Sequence, residues 1–588
     1  MKHRLKAIFY SFAVQLLLLH FKKFQILLIF WFVLFGAVSG NFMASFGVDS
    51  LYLSPEYLGS VNALSAAIVG VSIGIFIMSW NITTFILFCR HFRFLATTTR
   101  PFLKYCINNA VIPLIFLTYY FIHALDFDLH KELLSLPQVL TLVGGFLLGL
   151  IVIVFISFAY FFGADITIAR NMISRDPNAP MAMHRGVRPH IVLNSGGSRL
   201  IKVTTYLSGR LRVKAVRDVT HYSKEFLESI FSRHHFAAVL SIFIAFVFLM
   251  VVGFLLDYEI FQLPAAASIT VFFAILVAVA GAFSYFLQSW SVPFVVVLVV
   301  VLNMLYRYGV IDPTNKAYGL NYQRDIPKAV YTEQSLAALA APDRIEKDKA
   351  AMLEVLENWK KRQQEEKPTL YIINVSGGGT RSATFTMGVM QKLDSLMGGQ
   401  LMRKTFMITG ASGGMLGAAY FRALSRERDL GRVKNLQDPI YVDDISKDLL
   451  NPTFSSFVAR DLAAPAQKFK VGNYEYVKDR AYSFEQQLNK NTRYLLDKEL
   501  SALAEEEKQA LIPTMIFSSV ITRDGRKMLI STHPLSFLMK PAGDTALQFR
   551  GDPDAVDFAA LLEKQDPMNL RLLTALRMNA TFPYVLPN

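Results

Sequence analysis

The feature that most constrains this sequence is a series of long apolar runs without an ionised side chain, all lying before Arg307. A helix needs about 20 apolar residues to cross a bilayer. Seven stretches are long enough: 24–46, 61–89, 105–123, 138–163, 237–256, 263–286 and 291–306. The last two share one uncharged run between Glu259 and Arg307. At about 1.5 Å per residue that run is too long for a single helix, so a helical hairpin turning near Gln288, Ser289 and Trp290 is expected. After Arg307 charges are mixed and apolar segments short. The 588 residues therefore read as a membrane domain over 1–307, a linker over 308–368 and a globular domain over 369–588. Composition agrees, because 53% of the residues are hydrophobic and 18% charged, fewer charges than a water-soluble chain of this size carries.

The segments between the runs alternate in charge. Residues 1–23 are basic, the next loop holds Asp49 and Glu56, and Arg90, Arg93, Arg100 and Lys104 follow. Asp126, Asp128 and Glu132 come next, then the long basic loop 164–235, then Asp257 and Glu259. The positive-inside bias puts the basic segments and the N-terminus in the cytoplasm. Seven crossings then carry the C-terminal domain to the far side, whereas a re-entrant final hairpin returns it to the cytoplasm. Residues 1–23 suit an interfacial helix leading into the first span, or the front of a signal anchor. The basic loop 164–235 reads first as a topology signal and second as a site for anionic headgroups. The net charge of +15 concentrates in these flanking segments and gives no reason to invoke nucleic acid. No Asp, Glu, Lys or Arg lies inside a span, which disfavours ion-coupled transport. Asn41, Asn62, Asn81, Asn108 and Asn109 suit hydrogen bonds between helices. Cys89 and Cys106 form no redox or metal motif and read as packed thiols. No motif fixes an oligomeric state.

Two strand–loop–helix units follow in the C-terminal part. The β-branched run 370–375 suits a buried parallel strand and leads into Ser376-Gly377-Gly378-Gly379-Thr380-Arg381, then a helix stopped by Gly398-Gly399. A second strand, 405–409, meets Gly410-Ala411-Ser412-Gly413-Gly414 and another helix. This order predicts a parallel sheet with its loops at one edge. Gly410 to Gly414 fits the Gly-x-Ser-x-Gly nucleophile elbow. The strand must turn sharply into the helix, which needs small residues such as Gly410 and Gly414 beside the serine. The backbone N–H groups of Gly377, Gly378, Gly379 and Thr380 can converge as an oxyanion hole. Ser412 is thus the candidate nucleophile, and Arg381 a candidate for bracing the loop or holding a lipid phosphate.

An elbow serine and a Gly-Gly-Gly-x-Arg loop about thirty residues apart on neighbouring strands resemble the patatin-like phospholipases, and the Ser376 form of the loop is similar to that of related cytosolic phospholipases. The likeness extends over 370–588. The runs 513–519 and 528–531 around Asp524-Gly525 look like a strand hairpin of the family, and 575–583 like its block ending in proline. The resemblance implies an α-helical multi-pass transmembrane domain followed by an α/β patatin-like domain, a parallel-sheet core in three layers. It implies a membrane-bound lipid acyl hydrolase that cleaves fatty-acyl esters of phospholipid or lysophospholipid with a Ser–Asp dyad, without cofactor or metal. No Cys/His/Asp cluster has metal-ligand spacing.

Two departures stand out. Ser382 replaces a frequent glycine. More seriously, the family's aspartate, in an Asp-Gly-Gly or Asp-Gly-Ala turn after the Phe582-Pro583 block, has no counterpart before Asn588. The domain is therefore expected to be cut short at its C-terminus, with the base beyond Asn588. Asp524-Gly525 precedes the block and reads as a hairpin turn instead. His533, the one histidine after Arg307, is expected at the surface rather than in a Ser-His-Asp triad. Tyr474 and Lys478 match the Tyr-x-x-x-Lys pair of short-chain dehydrogenases, but Leu416 breaks the glycine pattern of their cofactor loop. A phosphate-binding Gly-Lys-Ser/Thr is also missing. The rival of another class is a non-catalytic membrane scaffold or lipid-binding protein that keeps the fold.

Overall fold

The computed structural model describes residues 2–23, 25–44, 47–98, 100–175, 202–217, 243–286, 290–308, 314–323, 325–462, 467–540, 553–581 and 585–586. The chain forms two compact units, Met1–Asp312 and Pro313–Asn588.

The first unit is helical. Helices α1 (Lys2–Phe9), α2 (Phe12–Lys23) and α3 (Gln25–Val38) open it. α4 (Ala63–Phe88), α5 (Pro101–Asn108), α6 (Val111–Asp126) and α7 (Leu136–Arg175) follow. A hairpin of β1 (Thr205–Leu207) and β2 (Val213–Ala215) precedes α8 (Phe243–Leu255), α9 (Ala265–Phe286) and α10 (Ser291–Arg307). Four helical stretches are long and apolar enough to cross a membrane: Ala63–Phe88, Val111–Lys131, Leu136–Tyr160 and Ala265–Phe283. α2 and α3, bent by 101°, make a fifth if they form one span. The unit thus has the helices that a multi-pass membrane protein requires.

The expected run 24–46 narrows to the 14 residues of α3, because the chain turns at Ser39 and Gly40. α8 and α10, at 237–256 and 291–306, are shorter than a full span among the described residues. The turn expected at Gln288 and Ser289 lies outside them, although the Phe283 and Phe294 rings on its two sides stand 5.2 Å apart.

α4 is the axis of this unit, and it packs on α7 at backbone distance. A methyl group on Gly70 would overlap the carbonyl oxygen of Phe146, and one on Gly149 that of Ala67. Helices in lipid gain little from hydrophobic contact with each other, so small residues that let backbones meet drive their association. A buried polar chain joins α2, α4 and α5. Asn109 donates through Nδ2 to Asn81 Oδ1 (3.0 Å) and Thr84 Oγ1 (3.2 Å), so its Oδ1 accepts from His20 Nε2 at 2.7 Å. Asn81 and Asn109 do join helices, while His20 escaped notice because it precedes the first apolar run.

The second unit is built on a five-stranded, mostly parallel sheet. α11 (Pro342–Lys361) precedes β3 (Tyr371–Val375), α12 (Gly379–Leu396), β4 (Thr405–Gly410) and α13 (Gly413–Asp429). After α14 (Arg480–Asn491) come β5 (Thr514–Val520), β6 (Lys527–Ile530), β7 (Ala555–Asp557) and α15 (Leu572–Asn579). The strand order is β7-β6-β5-β4-β3. β3, β4 and β5 run parallel, and β6 returns antiparallel from the Asp524-Gly525 turn. One core gathers Ile408 and Phe517 from the sheet with Met390, Met415, Phe421 and Leu576 from the helices.

Two expectations change here. β3 is not a buried strand: it lies at the sheet edge, with Ile372 57% exposed, because its only partner among the described residues is β4. From Pro313 on, the stretch read as a linker at 308–368 belongs to the second unit instead. Ala317 and Leu320 join the main core, and Val355 and Trp359 bury the apolar stripe of α11 against Phe406.

Candidate functional site

The register that pairs Val375 with Gly410 makes β3 and β4 end side by side, so their two glycine loops leave the sheet together. Ala411 N–H donates to the Val375 carbonyl at 3.1 Å, which holds the second loop to the first strand. Ser412 then sits at the N-cap of α13 with φ 56° and ψ −137°. A positive φ outside glycine is a strained conformation that persists only where surroundings enforce it. The enforcement is visible. Ser412 N–H donates to the Asn579 carbonyl (3.3 Å), and its own carbonyl accepts from Met415 N–H (3.0 Å).

The glycines answer to close approach. A methyl group on Gly413 would overlap the Gly379 carbonyl, and one on Gly410 the Val375 carbonyl. A side chain on Gly377 would begin 3.1 Å from Ser412 Cβ. The Gly-Gly-Gly loop therefore lies directly against the elbow. Ser382, the departure noted above, donates to the Ser376 carbonyl at 2.5 Å and ties the loop to its own helix. α12 begins at Gly379, so the first turns of two helices, α12 and α13, flank the half-buried serine. Helix N-termini favour negative charge.

Gly377, Gly379, Gly410, Gly413 and Ser412 are thus brought together. Thr380 belongs to the first turn of α12, and its carbonyl accepts from Thr384 at 2.8 Å. Arg381 is exposed and has no hydrogen bond or ion pair among the described residues, so no bracing contact is seen. No carboxylate hydrogen-bonds to Ser412 among the described residues. Asp524 closes the β5–β6 turn, where it accepts from Tyr331 at 2.8 Å and pairs with Arg526. His533 is half-buried rather than a surface residue, with an unpartnered ring nitrogen, Nε2. It lies near Glu507, before the start of β5 and so at the opposite end of the sheet. Burial, only partly opposed by Glu507, lowers its pKa. Tyr474 is engaged by Asp566, and Lys478 lies over the Tyr482 ring at 5.1 Å. Phe582 and Pro583 lie outside the described residues.

One participant escaped the sequence. Asn579 donates through Nδ2 to the carbonyls of Gly410 (2.9 Å) and Ser518 (2.8 Å), pinning the elbow to β5, while its Oδ1 is buried without a partner. Its place in the block at 575–583 was the available signal, but a lone asparagine there says nothing of which carbonyls it meets.

The fold is an α/β unit with a strained serine between a strand and a helix, preceded by a helical unit that can cross a membrane several times. No family model, no curated protein and no solved structure matches this chain.

Proposed function

We propose that the protein is a membrane-bound serine acyl-ester hydrolase of the patatin-like type, acting on phospholipid or lysophospholipid. The observation that carries this reading is the backbone of Ser412, φ 56° and ψ −137°, held at a strand-to-helix turn against a glycine loop. Strain of this kind is retained where a side chain must be aimed. In the reaction Ser412 Oγ attacks the ester carbonyl as an aspartate takes its proton. The oxyanion forms beside the N-termini of α12 and α13 and the glycine-loop amides, and water releases the acyl-enzyme. The membrane unit, crossing the bilayer several times with its N-terminus in the cytoplasm, keeps the site close to an insoluble substrate.

The test is fatty-acid release from lysophosphatidylcholine by protein purified from its complete reading frame, with Ser412→Ala as the control. A loss of at least about a thousandfold in Ser412→Ala is expected. Equal activity in the two proteins sinks the reading. That outcome favours the non-catalytic scaffold, the rival supported by the lack of a carboxylate bonded to Ser412 among the described residues.

A further inference from the structure

The two ends of the helical unit differ in chemistry. Residues 2–23, 89–109 and 202–217 together carry fourteen lysines and arginines and no aspartate or glutamate. They pack into one end, where Phe12, Leu16, Phe88, Phe94 and Phe102 form a core with Tyr206 and Val216 against it. The opposite end carries Asp49, Asp126, Asp128 and Glu132, and there Lys131 pairs with Asp49 (3.1 Å) and Tyr57 bonds the Ile260 carbonyl (2.8 Å).

The β1–β2 hairpin is the specialised part of the cationic end. Asn108 clamps it twice at Leu207, accepting from its N–H and donating to its carbonyl, both at 2.9 Å. Thr204 N–H bonds the Tyr10 carbonyl (2.9 Å), and Tyr206 packs on Phe94. The base is thus fixed, while the tip points apolar groups at its surroundings: Leu211 is 70% exposed and Val213 69%. Leu211 stands at φ 56°, a left-handed position where glycine or asparagine would sit without strain. Arg210, Arg212 and Lys214 alternate with these residues, all exposed and without an ion pair among the described residues. Burial first, and the nearby charge of Lys214 second, hold the Lys104 ammonium below its usual range. α1 adds exposed Leu5, Ile8 and Phe9 around Lys6.

Water suits the cations and not the leucine. A polyanion in water suits the cations alone. The interface of a bilayer with anionic headgroups suits both, because apolar side chains reach the acyl boundary while cations meet phosphate and carboxylate groups. We propose that this end of the helical unit is a binding surface for an anionic lipid leaflet, with Leu211 and Val213 inserted below the headgroups that Arg210, Arg212 and Lys214 engage. The inference stands whether or not Ser412 is a nucleophile.

The experiment places an environment-sensitive fluorophore on Leu211→Cys, in a background where the buried Cys89 and Cys106 are alanine. The full chain is reconstituted in nanodiscs of phosphatidylcholine with or without phosphatidylserine. Leu133→Cys, 81% exposed at the carboxylate end, serves as the reference. Expected are a blue shift and quenching by lipid-borne quenchers at position 211 only when phosphatidylserine is present. Both should weaken in high salt and vanish in the Arg210→Gln/Arg212→Gln/Lys214→Gln variant, while position 133 ignores lipid charge. Tip emission that is the same in both nanodiscs overturns the proposal, as does an unchanged signal in the triple variant with a native melting profile. A shift produced by an RNA oligonucleotide but not by phosphatidylserine also overturns it, in favour of nucleic acid.

Discussion

The two units use the same residue, glycine, for opposite ends. Between α4 and α7, Gly70 and Gly149 bring two regular helices to backbone contact, and nothing about either helix is unusual. At the elbow, Gly379 and Gly413 bring two irregular loops to contact and hold Ser412 in strain. The interiors differ in the same sense. The helical unit joins its elements through neutral groups, His20, Asn81, Thr84 and Asn109. The α/β unit buries whole ion pairs, Arg577 with Glu485 and Arg422 with Glu507. One interior is made for a solvent that offers nothing to a stray charge, the other for water, from which a charge can be withdrawn if it is paired.

The largest effect should come from breaking a buried pair. Glu485 accepts from Arg577 Nε (2.9 Å) and Thr574 (2.8 Å) and faces Arg571 at 3.4 Å, fully withdrawn from water. Glu485→Gln leaves the Arg577 guanidinium buried without its counter-charge, at a cost of about 3–5 kcal/mol. Hydrogen exchange measured segment by segment should show lost protection in α14 and α15 and none in α4 and α7. Equal loss in both units would mean that they do not differ as argued.

Next come the glycines. Gly413→Ala drives a methyl group into the Gly379 carbonyl, and the elbow must open. About 1–3 kcal/mol of stability should go with it, together with any Ser412-dependent hydrolysis. Gly149→Ala should cost the helical unit a similar amount and leave activity per folded molecule intact. If Gly413→Ala keeps full activity, the interlocked loops do not position the serine.

How much of this was legible follows from the range of each interaction. The elbow and its glycines could be read because strand, turn and helix are local, and a sharp turn restricts side chains at fixed spacing. Asn579 could not, because its two acceptors lie 169 and 61 residues away and only the fold brings them together. The edge position of β3 was hidden for a related reason: an apolar run says that a strand suits burial, not that neighbours exist on both sides. The same limit hid the packing of the stretch read as a linker, where a charged helix buries only a narrow apolar stripe, Val355 and Trp359 with Met352 and Leu356 beside them.

A third test separates strain from chemistry. Ser412→Gly relieves the positive φ, and about 1–3 kcal/mol of strain is partly offset by the larger entropy of an unfolded glycine. The C-terminal unit should gain about 1 kcal/mol, whereas Ser412→Ala gains nothing, and any Ser412-dependent hydrolysis should be lost in both. A stabilised Ser412→Ala would place the gain in lost polarity rather than in relieved strain.

The smallest effect concerns acid. Burial opposes ionisation of Asp444, but the hydrogen bonds of Lys447 and Arg493, at 2.7 and 2.6 Å, outweigh it and hold the carboxyl below its usual range. A depressed carboxyl contributes stability that is present above the unfolded value of about 3.9 and disappears as pH falls through the lower folded value. Because both cations are roughly half exposed, screening keeps the contribution within about 1 kcal/mol. Between neutral pH and about pH 3, exchange protection around Asp444 should therefore fall in the native protein and fall less in Asp444→Asn. The α4–α7 contact, which rests on glycine and carbonyl groups with no proton to gain, should keep its protection over the same range. An acid-sensitive α4–α7 contact would erase the contrast between an interior held by ions and one held by backbone proximity.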